Sequence, residues 1–175
     1  MLIAQDDNGR IDASAAGRGS KYICPNCLSE VVLKRGRIVI PHFAHKAPVT
    51  CEWGSGETQA HLEAKRLFAE AFAARGLRVE IEHVVPSLPS YRRADIMVWT
   101  KRGRRVAVEL QHTPIGLDEI EERAFAYARA EITQVWIPFL SHKVWAQAER
   151  ITEPTKRTEY VVERYPARPF ERWIH

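Results

Sequence analysis

The sequence predicts an α/β protein in which a mixed β-sheet is flanked by helices and preceded by a small cysteine-containing module. Three observations lead to this fold class. Amphipathic helical segments alternate with apolar strand-like segments after residue 56, all three cysteines lie before residue 52, and 45% of the 175 residues are hydrophobic. That hydrophobic share is typical of globular domains with a packed core. We therefore expect two domains, residues 1–55 and residues 56–175.

The N-terminal domain is expected to contain short strands. Residues 1–20 are polar and rich in alanine and glycine, which predicts a short strand or hairpin followed by a loop. The segment EVVLKRGRIVIPHF, residues 30–43, predicts a hairpin that turns at KRG. Residues 45–57 have no clear periodicity and predict an irregular connection.

The C-terminal domain begins with the predicted element order α-β-β-β-α-β. Gly76 is expected to end the first helix, because glycine is favoured just after the last helical turn. The chain stops at RPFERWIH, which looks like the opening of another element and is consistent with a truncated chain. The predicted elements are a helix at 57–75, strands at 77–85, 92–100 and 105–111, a helix at 117–130, a strand at 133–139, a helix near 142–150 and a strand near 159–164.

The distribution of charge indicates an anionic partner. Residues 57–113 carry ten lysines and arginines against seven acids, whereas residues 114–175 carry nine against ten. A basic middle segment favours nucleic acid as the partner, and the alternative is a solvated arginine-rich surface. The sequence shows no signal peptide and no apolar run long enough to span a membrane. An odd number of cysteines suits a reducing compartment, so we expect a cytoplasmic protein.

The spacing of cysteines and histidines predicts a zinc site. Cys24 and Cys27 are two residues apart, as in a knuckle whose thiolates bind one ion. With His42, His45 and Cys51, five candidates compete for four tetrahedral positions. The spacer between the histidines is short for a zinc finger, so Cys51 with His45 fits as well as both histidines do. Four protein ligands would make the zinc structural, and the alternative is free thiols and surface histidines.

Three polar residues lie on the core-facing stripe of the first predicted helix. At 100° per residue, Glu57, His61 and Lys65 align with apolar residues such as Phe68 and Phe72. The apolar end of the stripe must face the sheet, so the polar end is carried inward with it. The alternative is an ordinary helix start, where the helix dipole favours glutamate and the histidine is half-exposed.

Two carboxylates lie within apolar strands that are joined by a short turn. In VAVELQHT, Glu109 and Gln111 share one face of the strand, since side chains two apart point the same way. Asp95 lies in the preceding strand, after two arginines, so the two acids are expected on antiparallel neighbours. With a nearby main-chain carbonyl they form an oxygen-rich site suited to Mg²⁺ or Mn²⁺. The alternative is that each acid is paired with an arginine.

The motifs CPNC, HFAH, ETQAHLEAK, RRADI, VELQ and ERAFAY, in this order, resemble the competence protein CoiA-like family. The resemblance runs from about residue 24 to residue 139. It implies a small zinc-ribbon-like module followed by a restriction-endonuclease-like nuclease domain of the PD-(D/E)xK type. The implied activity is divalent-metal-dependent hydrolysis of DNA phosphodiester bonds, in DNA uptake, recombination or defence. Single-stranded or branched DNA is within the range of expected substrates.

The resemblance also implies roles for residues. Asp95 and Glu109 stand for the two acids of the nuclease motif, and Glu57 matches the acid of the first helix. Gln111 stands where the superfamily usually has lysine; an amide can orient a water molecule but supplies no positive charge. That charge would come from the two other polar residues of the first helix, His61 and Lys65.

The remaining expected contacts are with DNA. The residues expected to bind backbone phosphates are Arg92, Arg93, Arg104 and Arg105, with a further contact from Arg123 and Tyr127 on one helix face. Two other interpretations stay open at this point. One is a non-catalytic zinc-containing DNA-binding module with a degenerate nuclease core, which Gln111 favours. The other is a purely structural zinc domain in which arginines neutralise the buried acids.

Overall fold

A computed structural model describes residues 1–48, 50–54, 57–86, 92–111, 113–139, 146, 149–152 and 158–161. It contains a five-stranded sheet, a four-stranded sheet with two helices, and a two-stranded sheet. The four-stranded sheet is mixed, since three strands are antiparallel and the fourth is parallel to its neighbour. The predicted α/β fold class is therefore confirmed.

The N-terminal sheet is antiparallel throughout and has the order β2-β1-β3-β4-β5. Its apolar core includes Met1, Ala4, Tyr22 and Phe43, with the Tyr22 and Phe43 rings 4.9 Å apart between centroids. The predicted hairpin near the N-terminus is present as β1 and β2. The strands are β1 (Ile3–Asp6), β2 (Gly9–Asp12), β3 (Tyr22–Ile23), β4 (Glu30–Lys34) and β5 (His42–His45).

The second predicted hairpin is present, but its turn is longer than predicted. Lys34 pairs with His42, so residues 35–41 form the connection and the RIVI segment is not a strand. The cause lies in Arg35, whose guanidinium donates hydrogen bonds of 2.9–3.1 Å to three carbonyl oxygens of residues 13–16. These bonds draw the chain out of the ladder, and the second strand begins only at His42.

The C-terminal sheet has the order β6-β7-β8-β9, and each helix packs against it. The predicted boundaries of these elements agree to within two residues, and the first helix starts two residues later than predicted. Thr58 caps that helix by accepting a hydrogen bond from the His61 amide, so Glu57 lies just before the helix. Gly76, at φ +73°, follows its end as predicted. The elements are α1 (Gln59–Ala73), β6 (Arg78–Val85), β7 (Arg92–Trp99), β8 (Arg105–Gln111), α2 (Leu117–Arg129) and β9 (Ile132–Pro138).

The two faces of this sheet bury different apolar clusters. Ile96, Val98 and Val108 pack with Phe68 and Phe72 of α1. On the other face a second cluster contains Met97, Ala107 and Ile132 together with Tyr127 of α2. Because both faces are covered, the central strands β7 and β8 are buried along most of their length. Any polar side chain there must therefore find a partner.

The last described elements form an antiparallel hairpin of β10 (Glu149–Thr152) and β11 (Thr158–Val161). The helix predicted near 142–150 is wrong at its end, because Glu149 and Arg150 belong to β10. The β-branched residues that follow in β10 and pair in β11 favour a strand. The rest of that helix, apart from residue 146, and residues 162–164 of the predicted last strand lie outside the described residues. Within the described part of the chain, no helix is long and apolar enough to cross a membrane.

Candidate active site and metal centre

A cavity of about 390 Å³ lies beside the first half of β7 and the end of β8. Side chains from both helices and from the N-terminal domain reach it. Of the six residues predicted to be catalytic, five line this cavity and Lys65 does not. The lining includes Trp53, Glu57, His61, Arg92, Arg93, Asp95, Glu109, Gln111, Arg123 and Tyr127.

Asp95 is held by α1 and by the neighbouring strand. Its Oδ2 atom accepts a hydrogen bond of 2.9 Å from the Leu110 amide and lies 3.1 Å from His61 Nε2. Burial alone would raise the pKa of Asp95, but the hydrogen bond with His61 and the nearby Lys65 ammonium outweigh burial and lower that pKa. Asp95 is therefore a carboxylate near neutral pH, which is the state that binds a cation.

Glu57, His61 and Asp95 form a group that could hold a metal ion. One ligand atom from each of the three lies within 4.8 Å of the others. His61 Nδ1 is 3.9 Å from Glu57 Oε1 while its Nε2 faces Asp95, so the imidazole lies between two carboxylates. Two carboxylate oxygens and an imidazole nitrogen suit a divalent cation. The stripe predicted from the α1 sequence thus converges on Asp95.

Glu109 lies on the strand antiparallel to that of Asp95, as predicted, and two residues of α2 hold its carboxylate. Strand pairing ends at Ile96 with Val108, so Asp95 and Glu109 each lie one residue beyond the last pair of β7 and β8. The Glu109 carboxylate lies 3.1 Å from the Arg123 guanidinium and accepts a hydrogen bond from the Tyr127 hydroxyl. The predicted sharing of one ion by Asp95 and Glu109 stays a prediction.

The ionisation of Glu109 is perturbed by its surroundings. The residue is 2% exposed. Burial, reinforced by the negative charge of Asp95, raises the pKa of Glu109 to about 7 against the opposing effect of Arg123 and Tyr127. Its carboxyl group can therefore gain or lose a proton near physiological pH, and buried acids with shifted pKa values cluster at functional sites.

The raised pKa makes a prediction about stability. Folding favours the protonated form of Glu109. The contribution of this group to the free energy of unfolding is therefore complete below the ordinary pKa of 4.5 and is lost as pH rises through about 7. Glu109→Gln keeps the shape and cannot titrate. We expect the free energy of unfolding of the parent protein to fall relative to Glu109→Gln between pH 5 and pH 8, by on the order of 1–3 kcal/mol. Denaturant unfolding at both pH values, without added Mg²⁺ or Mn²⁺, measures this; a pH-independent difference would contradict it.

Lys65 neutralises the carboxylates behind the cavity. Its side chain is fully buried, and Nζ lies 2.5 Å from Glu57 Oε1, 2.5 Å from Glu82 Oε1 and 4.0 Å from Asp95 Oδ1. Burial would lower the pKa of Lys65, but Glu82 and Glu57 outweigh it and raise that pKa, so the ammonium stays charged. Because Lys65 does not line the cavity, its predicted supply of positive charge to the reaction can act only through the carboxylates that it contacts.

Glu82 is a central residue that the sequence reasoning missed. It is 2% exposed, and its two oxygens accept hydrogen bonds of 2.8 and 3.1 Å from the Leu2 and Ile3 amides of the N-terminal domain. Its φ of +53° is unusual for a glutamate. The apolar alternation of RVEIEHVV contained the signal, since a carboxylate in such a strand needs a partner, as with Asp95 and Glu109.

The residues predicted to bind DNA separate into two groups. Arg92, Arg93 and Arg123 line the cavity. Arg104 and Arg105 lie at the opposite end of β7 and β8. Arg105 pairs with Trp99, which is four positions along β7 from Asp95, a distance of about 13 Å. These two arginines therefore do not border the cavity.

The cavity residues predicted to bind DNA already have protein partners. Arg92 pairs with Glu122 at 2.9 Å, and Arg123 with Glu119 at 2.7 Å as well as with Glu109. Tyr127 is 1% exposed and its hydroxyl donates to Glu109, because α2 packs directly on the sheet. Its geometry is that of a residue that holds Glu109, and a direct contact with DNA stays a prediction.

The cysteines and one histidine form a second group that could hold a metal. Cys24 Sγ is 3.9 Å from Cys51 Sγ, and Cys27 Sγ is 3.3 Å from His45 Nε2. All four ligand atoms lie within 4.8 Å of one another. A tetrahedral zinc ion separates two sulfurs by about 3.8 Å and a sulfur and a nitrogen by about 3.6 Å, given usual bond lengths. The arrangement therefore fits zinc.

His42 is outside this group. Its Nδ1 atom lies 2.9 Å from the Ile40 carbonyl oxygen, and it does not belong to the metal-binding cluster. Of the two ligand sets left open by the sequence, the geometry thus favours Cys24, Cys27, His45 and Cys51. The Asn26 amide also lies 3.4 Å from Cys24 Sγ, as expected in a knuckle that presents thiolates.

Comparison with known proteins gives matches over most of the chain. Residues 57–171 match the family model described as the competence protein CoiA nuclease-like domain, and residues 6–54 match the competence protein CoiA N-terminal domain. The chain is 29% identical over 118 residues to competence protein CoiA of Bacillus subtilis (strain 168). That alignment covers 67% of this chain and 31% of the relative, so the aligned part spans about a third of the relative's length. No solved structure matches the chain.

Proposed function

The chain belongs to the competence protein CoiA family, and on that premise we propose that it is a divalent-metal-dependent nuclease that hydrolyses DNA phosphodiester bonds. One observation carries the proposal: two buried acids, Asp95 and Glu109, face one cavity together with Glu57, His61 and three arginines. Carboxylates that bind a cation beside guanidinium groups that bind phosphate are what hydrolysis of a phosphodiester requires.

The ligands for the cation would be Glu57, His61 and Asp95, with Glu109 joining when it is deprotonated. When bound, a divalent cation at these groups polarises a phosphoryl oxygen and lowers the pKa of a water molecule. The other functions belong to the chain. Lys65 keeps Glu57 and Asp95 charged, and a Glu109 carboxyl with a pKa of about 7 can accept a proton. An imidazole ligand suits Mn²⁺ better than Mg²⁺, so we expect Mn²⁺ to support the higher rate.

Gln111 would orient the attacking water. Its Nε2 atom donates a hydrogen bond of 2.6 Å to the Thr113 carbonyl oxygen, which fixes the amide at the cavity. An amide provides a hydrogen bond without a charge, so the positive charge beside the scissile phosphate would come from Arg92, Arg93 or Arg123. Together, the Gln111 amide and one of these arginines would perform the role of the lysine that the superfamily usually has at that position.

A second candidate function is a non-catalytic DNA-binding module. The observation that favours it is that no lysine is among the described residues that line the cavity. Such a module would still bind DNA through the same arginines. It has no use for an acid with a raised pKa, whereas a hydrolase does, and for this reason we prefer the nuclease.

We also propose the setting in which this activity occurs. Residues 1–55 and 56–175 are two domains that share the cavity, and zinc is the metal of the cysteine-histidine group. A centre with three cysteine ligands requires reduced thiols, which supports the cytoplasm as the location. Single-stranded or branched DNA formed during uptake, recombination or defence is the proposed substrate.

A cleavage assay tests the proposed function. The protein is incubated with supercoiled plasmid, single-stranded DNA and RNA of the same sequence, each with Mg²⁺, Mn²⁺ or EDTA. We expect cleavage of DNA that requires Mn²⁺ or Mg²⁺ and stops in EDTA. DNA binding by gel shift without cleavage under any of these conditions would favour the non-catalytic module instead.

The position of the arginines predicts the salt dependence of DNA binding. Each phosphate contact contributes about 0.9 to the slope of log affinity against log salt for duplex DNA, and about 0.7 for a single strand. For a six-nucleotide strand, we expect Arg92→Ala to reduce the slope by more than the double change Arg104→Ala with Arg105→Ala does, because those two lie about 13 Å away from the cavity. With a 30-nucleotide strand both should reduce it. Fluorescence anisotropy from 50 to 200 mM salt measures the slopes, and a salt-insensitive interaction would indicate only a solvated basic surface.

A further inference from the structure

The chain that leaves the cysteine-histidine centre passes directly into the cavity wall. Cys51 is buried beside Cys24, and a single 3₁₀ turn, Glu52–Gly54, follows it. Both Glu52 and Trp53 of this turn line the cavity. Trp53 also packs against the apolar core of the N-terminal domain. Trp53, a side chain at the candidate active site, is therefore only two positions along the chain from a metal ligand.

Trp53 holds Arg93 in two ways. The Arg93 guanidinium lies over the indole, 5.0 Å from the ring centroid, and its Nη1 atom donates a hydrogen bond of 3.4 Å to the Trp53 carbonyl oxygen. The acids around the same guanidinium are no closer, at 3.5 Å for Glu57 and 3.8 Å for Glu82. The hydrogen bonds to Trp53 and Glu57 are both long, so the acids hold the guanidinium mainly by charge while the flat indole face fixes its orientation.

We infer that the metal centre of Cys24, Cys27, His45 and Cys51 positions Arg93 through Trp53, and that Trp53 is a positioning residue for phosphate binding in the cavity. The inference rests on the proposed function for the identity of the ligand. Coordination of Cys51 fixes the start of the 3₁₀ turn, and the turn presents the indole to the guanidinium. Without the ion, Cys51 no longer anchors the start of the turn, so the indole and the guanidinium that lies over it lose their fixed position towards an incoming phosphate.

The first experiment follows Arg93 without DNA. In protein labelled with ¹⁵N-arginine, the Nε–H resonance of Arg93 is assigned by its loss in Arg93→Lys. We expect this resonance to shift in Cys27→Ser, which breaks the centre at its exposed ligand, and in Trp53→Ala, and to remain near the parental position in Trp53→Phe. An Arg93 resonance that does not respond to loss of the centre in folded protein overturns the inference, whatever the protein does with DNA.

The second experiment places the same variants in a binding cycle. Affinity for a six-nucleotide DNA is measured with Ca²⁺ in place of Mn²⁺. Loss of an arginine–indole contact corresponds to a change of about 3- to 10-fold. We expect Trp53→Ala and Cys27→Ser each to weaken binding by this factor and to reduce the salt slope. The double variant should be no weaker than either, because both act on Arg93. Losses that multiply in the double variant overturn the inference.

The controls separate positioning from general stability. Trp99 has the same kind of partner, since Arg78 lies 4.1 Å over its ring, but it does not line the cavity. Trp99→Ala should lower the melting temperature without changing the salt slope. If Cys27→Ser fails to fold, the affinities of Trp53→Ala and Trp53→Phe for the six-nucleotide DNA are compared in zinc-loaded protein. Equal affinities overturn the inference. A coupled Arg93 resonance in a parent protein that binds no DNA would instead reject the proposed function and leave the coupling established.

Discussion

Replacing Asp95 with asparagine is expected to abolish metal-dependent DNA cleavage, with a rate loss of at least about 100-fold. The change removes one negative charge from the group of Glu57, His61 and Asp95 while keeping the size of the side chain. DNA binding should persist or improve, since a charge that repels phosphate is lost. Glu109→Gln is expected to act in the same way, because its carboxylate faces the same cavity.

Matched measurements make this prediction decisive. Glu80→Gln is the control, because Glu80 pairs with Arg78 and His83 outside the cavity and its loss should leave cleavage unchanged. Gln111→Lys should be tolerated or raise the rate, since it restores the usual cation. The purely structural interpretation predicts that these changes lower stability and that the protein has no metal dependence to lose. Thermal melts with and without Mn²⁺ measure both. A Glu109→Gln protein that cuts DNA at the parental rate would refute the site as described.

Loss of the proposed zinc ion is expected to have the largest effect on stability. Structural zinc sites contribute about 10–16 kcal/mol in small zinc-binding units, as much as the whole stability of a typical domain. Cys24 is fully buried with its thiol beside Cys51, so Cys24→Ser should lose the ion and unfold the N-terminal domain. Burial also raises the pKa of the uncomplexed Cys24 thiol to about 11, a cost that a bound cation removes.

Two neighbouring histidines provide the control for zinc. His45→Ala should lose the ion, whereas His42→Ala should retain it, because only His45 belongs to the cysteine-histidine group. The parent protein and His42→Ala should contain about one zinc per chain by elemental analysis. Stoichiometric zinc in Cys24→Ser, or its loss from His42→Ala, would show that the ligand set is wrong.

The zinc ligands illustrate what the sequence could predict. Spacing indicated a metal site with His45 among its ligands, but it left the fourth ligand open between His42 and Cys51. That choice depends on HFAH being a strand, because residues three apart in a strand point to opposite faces and only one can reach the knuckle. Once β5 is recognised, the ambiguity disappears. The prediction left the fourth ligand open because it placed the turn of the second hairpin at KRG, which is shorter than the observed connection of residues 35–41.

The partners of the buried acids were harder to predict than the acids themselves. The alternation of apolar residues revealed Asp95 and Glu109, and the 3.6-residue period of α1 revealed Glu57, His61 and Lys65. The periodicities did not reveal that Arg123 and Tyr127 hold Glu109, although the two residues were recognised as one helix face. That contact depends on how α2 packs across the sheet, which no local pattern encodes. For the same reason, no sequence pattern indicates that Trp53 contacts Arg93.

The hydrogen bonds from Leu2 and Ile3 to Glu82 have a consequence for the order in which the protein folds during synthesis. These amides are separated from their acceptor by about 80 residues of chain. At about 5–20 residues per second, the ribosome takes several seconds to make that interval. Until Glu82 emerges, β1 has two buried amides without an acceptor, and Lys65 and Glu57 lack the acid that completes their cluster. The N-terminal sheet, though made first, therefore reaches its final structure only when β6 is available, so the two sheets mature together.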